Sequence, residues 1–128
     1  MGQESRSVAI VDDDAAVRHA LKFALEAEGL VVRVHGGALA LLADPELDRY
    51  GCLVIDYRMP SIDGLELVDT LRRRGVSTPV IIITGRANDG MRQRAGRAGI
   101  DMVLEKPLSD GALSTAIHSA LALPPAAP

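Results

Sequence analysis

Five polar residues stand at or just past the ends of apolar runs in this chain. Asp12 and Asp13 follow Val8–Val11, Asp56 closes Leu53-Val54-Ile55, Thr84 follows Val80–Ile83, and Lys106 comes two positions after Met102–Leu104. Three carboxylates brought together repel one another, and an oxygen-rich set without nitrogen suits a hard divalent cation, Mg²⁺ or Mn²⁺. A lysine and a hydroxyl beside a metal-bound carboxylate would receive the oxygens of a transferring phosphoryl group, leaving Asp56 as the nucleophile. Taken singly, each residue has a plainer reading: helix caps for Asp12 to Asp14, solvated charges for Asp56 and Lys106, a strand end for Thr84. Agreement among several strand ends is what carries the chemistry.

That agreement requires a parallel sheet, whose strands all end on one rim. Strand signals recur at Val8–Val11, Leu30–Val34, Cys52–Ile55, Val80–Ile83 and Met102–Leu104, each followed by a helical pattern. Such alternation predicts five βα units, with nearly continuous apolar strands covered on both faces by helices. The first helix starts at Asp14 as N-cap, carries a core stripe of Val17, Ala20, Leu21, Ala24 and Leu25, and closes at Gly29. Phe23 falls on its opposite side, as a partner surface or as a ring shielded by its neighbours. Arg33 interrupts the second strand, which suits a sheet edge. Gly36-Gly37 then leads into a short helix over Ala38 to Ala43, ended by Asp44-Pro45.

The third helix buries Leu67, Val68 and Leu71 and finishes in Arg72-Arg73-Arg74, read as solvated cations at the negative end of the helix dipole. The fourth, from Asn88 to Ala98, has only Met91, Ala95 and Ala98 for an inner face and contains Gly90 and Gly96, which predicts weak anchoring and easy local opening. The fifth carries Leu113, Ala116, Ile117, Ala120 and Leu121 on one stripe. Asp63 and Glu105 read as turn residues or solvated charges, Cys52 as a buried hydrophobe, and the peptide bond between Lys106 and Pro107 is open to either isomer.

Bulk properties set the frame. A chain of 128 residues with 48% apolar and 24% charged residues has the make-up of one globular domain. We expect a seven-residue N-terminal extension, a folded unit over positions 8–122, and a Pro/Ala-rich tail or linker over 123–128. A net charge of −3 supplies no electrostatic footprint for nucleic acid or anionic membrane. No apolar run is long enough to span a bilayer, and Met1 to Ser7 lacks a signal-peptide core, so the chain reads as cytoplasmic.

As an ordered set, Val11-Asp12-Asp13, Asp56 with Met59-Pro60 and Asp63-Gly64, Thr84-Gly85 and Glu105-Lys106-Pro107 resemble the response-regulator receiver domain of two-component signalling. The details lean toward FixJ-type receivers. The resemblance implies a flavodoxin-like (CheY-like), doubly wound (βα)5 fold, α/β in class, with a five-stranded parallel sheet in the order 2-1-3-4-5. It also implies that Asp56 accepts a phosphoryl group from a cognate histidine kinase or a small phosphodonor. Asp12 and Asp13 would hold Mg²⁺ with Asp56 and the backbone carbonyl of Arg58, while Lys106 and Thr84 would meet the phosphoryl oxygens.

Modification would then switch the surface of helix 4, strand 5 and helix 5, promote homodimerisation there, and control transcription through a DNA-binding output domain or partner. Beyond its own phosphorylation and dephosphorylation such a domain catalyses nothing. Val103 departs from the pattern, because receivers carry a rotating aromatic ring three residues before the lysine and valine has one stiff χ1. Arg86, two past Thr84, flanks the site and faces either the phosphoryl group or solvent.

Two other readings compete. A phosphorylation-independent pseudo-receiver would act as a binding scaffold, a reading that Val103 keeps open. An aspartyl-nucleophile phosphohydrolase would place a second acid two residues after Asp56, where this chain has Arg58.

Overall fold

The computed structural model describes residues 7–100, 102–109 and 111–122. The N-terminal residues 1–6 and the Pro/Ala-rich end at 123–128 lie outside the described residues. Ser7, expected in the extension, opens the first strand instead. The strands are β1 (Ser7–Val11), β2 (Val31–His35), β3 (Cys52–Asp56), β4 (Val80–Thr84) and β5 (Met102–Glu105). They alternate with helices α1 (Ala15–Glu26), α2 (Ala38–Leu42), α3 (Gly64–Arg73), α4 (Asp89–Arg97) and α5 (Ala112–Leu121). All pairings are parallel and the order is β2-β1-β3-β4-β5, the doubly wound arrangement expected. Arg33 is exposed on β2 at the sheet edge, and Cys52 is fully buried.

Two apolar layers sandwich the sheet, because alternate residues of each central strand point to opposite faces. Leu53, Ile55, Val80 and Ile82 meet α2, α3 and α4 through Leu41, Leu67, Leu71, Met91 and Ala95. Val54, Ile81 and Ile83 meet α1 and α5 through Leu25, Leu113, Ile117 and Ala120. Each such aliphatic side chain, once buried, contributes roughly 1.5–3 kcal/mol.

The α1 stripe is narrower than its spacing predicts. Only Leu25 is buried, Val17 and Leu21 are half-buried, and Ala20 and Ala24 are exposed. Two helices cover that face of the sheet and three cover the other, so among the described residues the flank of α1 has nothing to pack against. Val17 and Leu21 instead line an open apolar groove with Ile83, Pro107 and Leu108. Phe23 is 80% exposed, so its neighbours do not shield it.

Helix ends follow their local chemistry. Asp14 caps α1, its carboxylate accepting from the amides of Ala16 and Val17. Asp63, expected to be a turn residue or solvated charge, closes a reciprocal capping box with Glu66 at the start of α3. Gly29 and Gly75 end α1 and α3 at positive φ, where a Cβ would be strained.

The arginine triplet is not the solvated cap the sequence suggested. Arg72 folds back, donating from Nη1 to the carbonyls of Val76 and Thr78 at 3.0 and 2.9 Å and from Nε to the carbonyl of Ala98 at 3.0 Å. A further bond reaches the carbonyl of Gly99 at 3.3 Å. Arg74 Nη1 donates to Leu42 O at 3.3 Å, and only Arg73 stays within its own helix, beside Thr70. The free carbonyls that end α4 therefore meet a guanidinium from α3, which anchors a helix that its side chains hold poorly. Arg72→Met should cost about 2 kcal/mol in urea denaturation and speed amide exchange in α4 before it does so in α3 or α5.

Candidate functional site

The rim at the C-terminal ends of the strands is assembled strand by strand. At β1, Asp12 is 6% exposed; its amide donates to the carbonyl of His35 at 3.1 Å, and its Oδ1 accepts from the amide of Asp14 at 2.8 Å. Asp13 is exposed beside it. Asp56 ends β3 at the centre of the sheet and is 7% exposed. After it the chain turns tightly: the amide of Tyr57 donates to Ile83 O, and that of Gly64 returns to Tyr57 O, both at 2.8 Å. A Cβ on Gly64 would lie 2.9 Å from the carbonyl oxygen of Asp56, so only glycine lets α3 start this close to the site.

Thr84, 2% exposed, ends β4 in register with Glu105, and the amide of Lys106 donates to its carbonyl at 2.8 Å. The Thr84 hydroxyl is engaged within its own turn, donating to Arg86 O at 3.1 Å and accepting from the Arg86 amide at 3.2 Å. Lys106 Nζ reaches Asp56 Oδ1 at 3.4 Å, and the peptide bond to Pro107 is cis.

The acidic residues expected to meet do meet. One carboxylate oxygen each from Asp12, Asp13 and Asp56 lies within 4.8 Å of the others. Two full negative charges at that separation repel by roughly 3 kcal/mol at an effective dielectric of about 20. The Asp56 carboxyl is accordingly held above the usual carboxylate range, first by burial and then by the charge of Asp12, with Lys106 opposing both. An all-oxygen cluster of this size fits a small hard cation, whose ligand oxygens sit close around it.

The remaining expected residues lie at the margin. Arg58 and Arg86 are both exposed. Val103 pairs with Ile82 and packs against the cluster that includes Met91 and Ala95, so it touches the α4 side of the core without offering a polar group.

Sequence reasoning passed over two supports of the rim. His35 Nε2 and Asp44 Oδ2 lie 2.8 Å apart, and the Tyr50 hydroxyl donates to the same oxygen, tying the end of β2 to the α2–β3 connection. Burial alone would raise the Asp44 carboxyl, but bonds from Tyr50, the Glu46 amide and His35 together lower it. Burial and Asp44 in turn push the Tyr50 hydroxyl well above its ordinary value. The other support is Arg18, whose Nη1 donates to Asp12 O at 2.7 Å. No periodicity marks either one, since each joins a residue of a helix or strand to a neighbouring loop and not to a partner along its own element.

Residues 8–118 match the family described as the response regulator receiver domain. The chain belongs to that family.

Its relatives make it a FixJ-type receiver domain. Transcriptional regulatory protein FixJ of Azorhizobium caulinodans is 44% identical over 119 residues, covering 92% of this chain and 56% of the relative. FixJ of Rhizobium meliloti is 40% identical over 114 residues, 89% of this chain and 56% of the relative. The chain thus spans just over half the length of these curated relatives. Among solved structures, the one described as FixJ-N superposes with a TM-score of 0.82 at 36% identity, covering 94% of this chain and 97% of that one. The chemotaxis protein CheY4 of Vibrio cholerae shares the fold at a TM-score of 0.82, with 23% identity and coverage of 89% and 97%. Receiver domains act in two-component signalling, and the rim described above is this receiver's cluster of acids, hydroxyl and lysine. Among the described residues, no helix is long and apolar enough to cross a membrane.

A raised Asp56 value fixes the sign of a pH effect. The folded state binds this proton more tightly than the unfolded chain, so metal-free stability rises as pH falls through the raised folded value and levels off below the ordinary one. In EDTA at neutral pH, Asp56→Asn should melt at a higher temperature than the wild type, and the gap should narrow as the pH is lowered through that window.

Proposed function

We propose that Asp56 is the phosphoacceptor of a response regulator and that its modification changes the surface formed by α4, β5 and α5. The observation carrying this reading is the buried Asp56 carboxylate, with Lys106 Nζ at 3.4 Å and two further acids within 4.8 Å. In the step proposed, an ionised oxygen of Asp56 forms a bond to phosphorus while the bond from phosphorus to the donor breaks. The donor is a phosphohistidine of a cognate histidine kinase, whose departing nitrogen keeps the electron pair, or a small acyl phosphate. Lys106 would hold a phosphoryl oxygen, and the low exposure of Asp56 limits access by water.

Asp12, Asp13 and Asp56, with the Arg58 carbonyl, would hold Mg²⁺ or Mn²⁺. The ion, when bound, would neutralise charge on the acids and the phosphoryl oxygens. The apolar groove of Val17, Leu21, Pro107 and Leu108 opens beside Lys106 and Asp12 and offers the donor protein a place to seat next to the nucleophile.

The route outward runs through Thr84. Its hydroxyl must leave the Arg86 carbonyl to donate to a phosphoryl oxygen, which loosens the turn leading into α4. Val103 cannot swing as a ring would, so this backbone connection carries the signal to a helix whose inner face is small. Arg86 flanks the site from solvent. The consequences proposed are homodimerisation through α4, β5 and α5 and transcriptional control through an output domain of a longer protein, in the cytoplasm. The domain turns over no substrate other than its own aspartyl phosphate. As a pseudo-receiver scaffold, favoured only by Val103, it would leave the charged rim without a use.

Incubation with acetyl phosphate and Mg²⁺ should add the mass of one phosphoryl group, and Asp56→Asn should abolish the adduct. Absence of an adduct with both acetyl phosphate and a cognate kinase would sink the reading, and steady hydrolysis of a phosphomonoester would revive the phosphohydrolase. Hydrogen exchange on the phosphorylated domain should change first in the Thr84–Asn88 turn and α4, and Thr84→Ala should blunt that change while leaving the adduct.

A further inference from the structure

Arg18 lies near the positive end of a helix, where a cation gains nothing from the helix dipole. Among the described residues it forms no ion pair. Its backbone amide makes the ordinary helical bond to Asp14 O at 3.0 Å, while its side chain turns back over the start of α1 and donates from Nη1 to Asp12 O at 2.7 Å. The same guanidinium lies 3.6 Å from where a Cβ on Gly36 would be, against the turn between β2 and α2. One half-buried side chain therefore spans the two loops that border the acidic pair.

Asp12 is held on every other side as well. Its amide donates to His35 O and its Oδ1 accepts from the Asp14 amide, so with Arg18 on its carbonyl the peptide groups and one carboxylate oxygen of Asp12 are already oriented. Repulsion from Asp13 and Asp56 would tend to swing the β1–α1 loop outward, and the bond from Arg18 opposes that swing from behind. The choice of acceptor matters. A guanidinium paired with either carboxylate would compete with a metal for the same oxygens, whereas one bound to the backbone carbonyl does not compete for them.

We propose that Arg18 is a positioning residue for the cation site, fixing the β1–α1 loop so that Asp12 and Asp13 face Asp56 before any ion arrives. This rests on the receiver reading, in which these three acids hold Mg²⁺. Outer groups that orient metal ligands typically change metal affinity by ten- to a hundredfold when removed, and Arg18 belongs at the lower end because it acts through the backbone.

The test is a calorimetric titration of the whole chain with Mg²⁺, well below the melting temperature of each variant. Arg18→Met keeps the aliphatic stem and should weaken Mg²⁺ binding roughly tenfold. Arg18→Lys keeps the charge and a donor and should recover at least half of that loss on a logarithmic scale. Should the Met variant not fold, Arg18→Gln takes its place in the comparison. Affinity within twofold of the wild type, whatever happens to the melting temperature, overturns the proposal, because a purely structural arginine would shift melting and leave the affinity of the folded domain alone. A Lys variant no better than the Met variant overturns it as well. Failure of the wild-type chain itself to bind Mg²⁺ would overturn the receiver reading, an outcome distinguishable from loss of the Arg18 role alone.

Discussion

Asp56 is buried at the middle of the sheet rim next to a second buried carboxylate, and its surroundings answer to the free-energy cost of that placement. A lone buried charge of this kind would normally take up a proton. Here the Lys106 ammonium works against that burial and against the negative charge of Asp12 and Asp13, which meet Asp56 in an all-oxygen cluster suited to a cation. Each of these depends on strands that end at the same level, which parallel register supplies without any specialised loop. Gly64 extends the dependence into α3, since a side chain there would strike the carbonyl of Asp56 itself.

The same economy shapes the side of the domain that faces outward. The inner face of α4 buries only Met91 and Ala95, so its position is set mainly by what happens at its two ends. At the C-terminal end Arg72 binds the carbonyls of Ala98 and Gly99; at the N-terminal end Asn88 caps the helix, just past a turn that the Thr84 hydroxyl closes. The helix is thus tied at one end by a guanidinium and preceded at the other by a turn that the Thr84 hydroxyl closes. On the proposed function, this backbone connection would join site and helix where Val103 offers no rotating ring.

Much of the fold was legible because the strands are short, apolar and punctuated, and because helix starts such as Asp14 obey local hydrogen-bond rules. The candidate site was legible for the same reason: its residues sit at strand ends, and a parallel sheet gathers strand ends. The misreadings have a common physical source. Asp63 carried a capping-box spacing with Glu66 and could have been found by it. Arg72 could not, because a cation after a helical stripe looks alike whether it meets solvent or the carbonyls of a helix 26 positions away. The stripe on α1 was too wide on paper because periodicity says which residues share a face and not whether anything covers it; Ala20 and Ala24 share the face and remain exposed.

The sequence by itself determined the five βα units, the identity of the polar residues at the strand ends, and the substitution of valine for a ring at position 103, since all of these are written in local pattern and spacing. Tertiary structure alone decided that Lys106 stands 3.4 Å from Asp56, that Thr84 is turned toward Arg86, and that Arg18 and Arg72 bind carbonyls instead of water. The reason is one of range. Caps and strand alternation are settled within a few residues, whereas a long cationic side chain chooses among acceptors that only the packing of distant segments brings within reach.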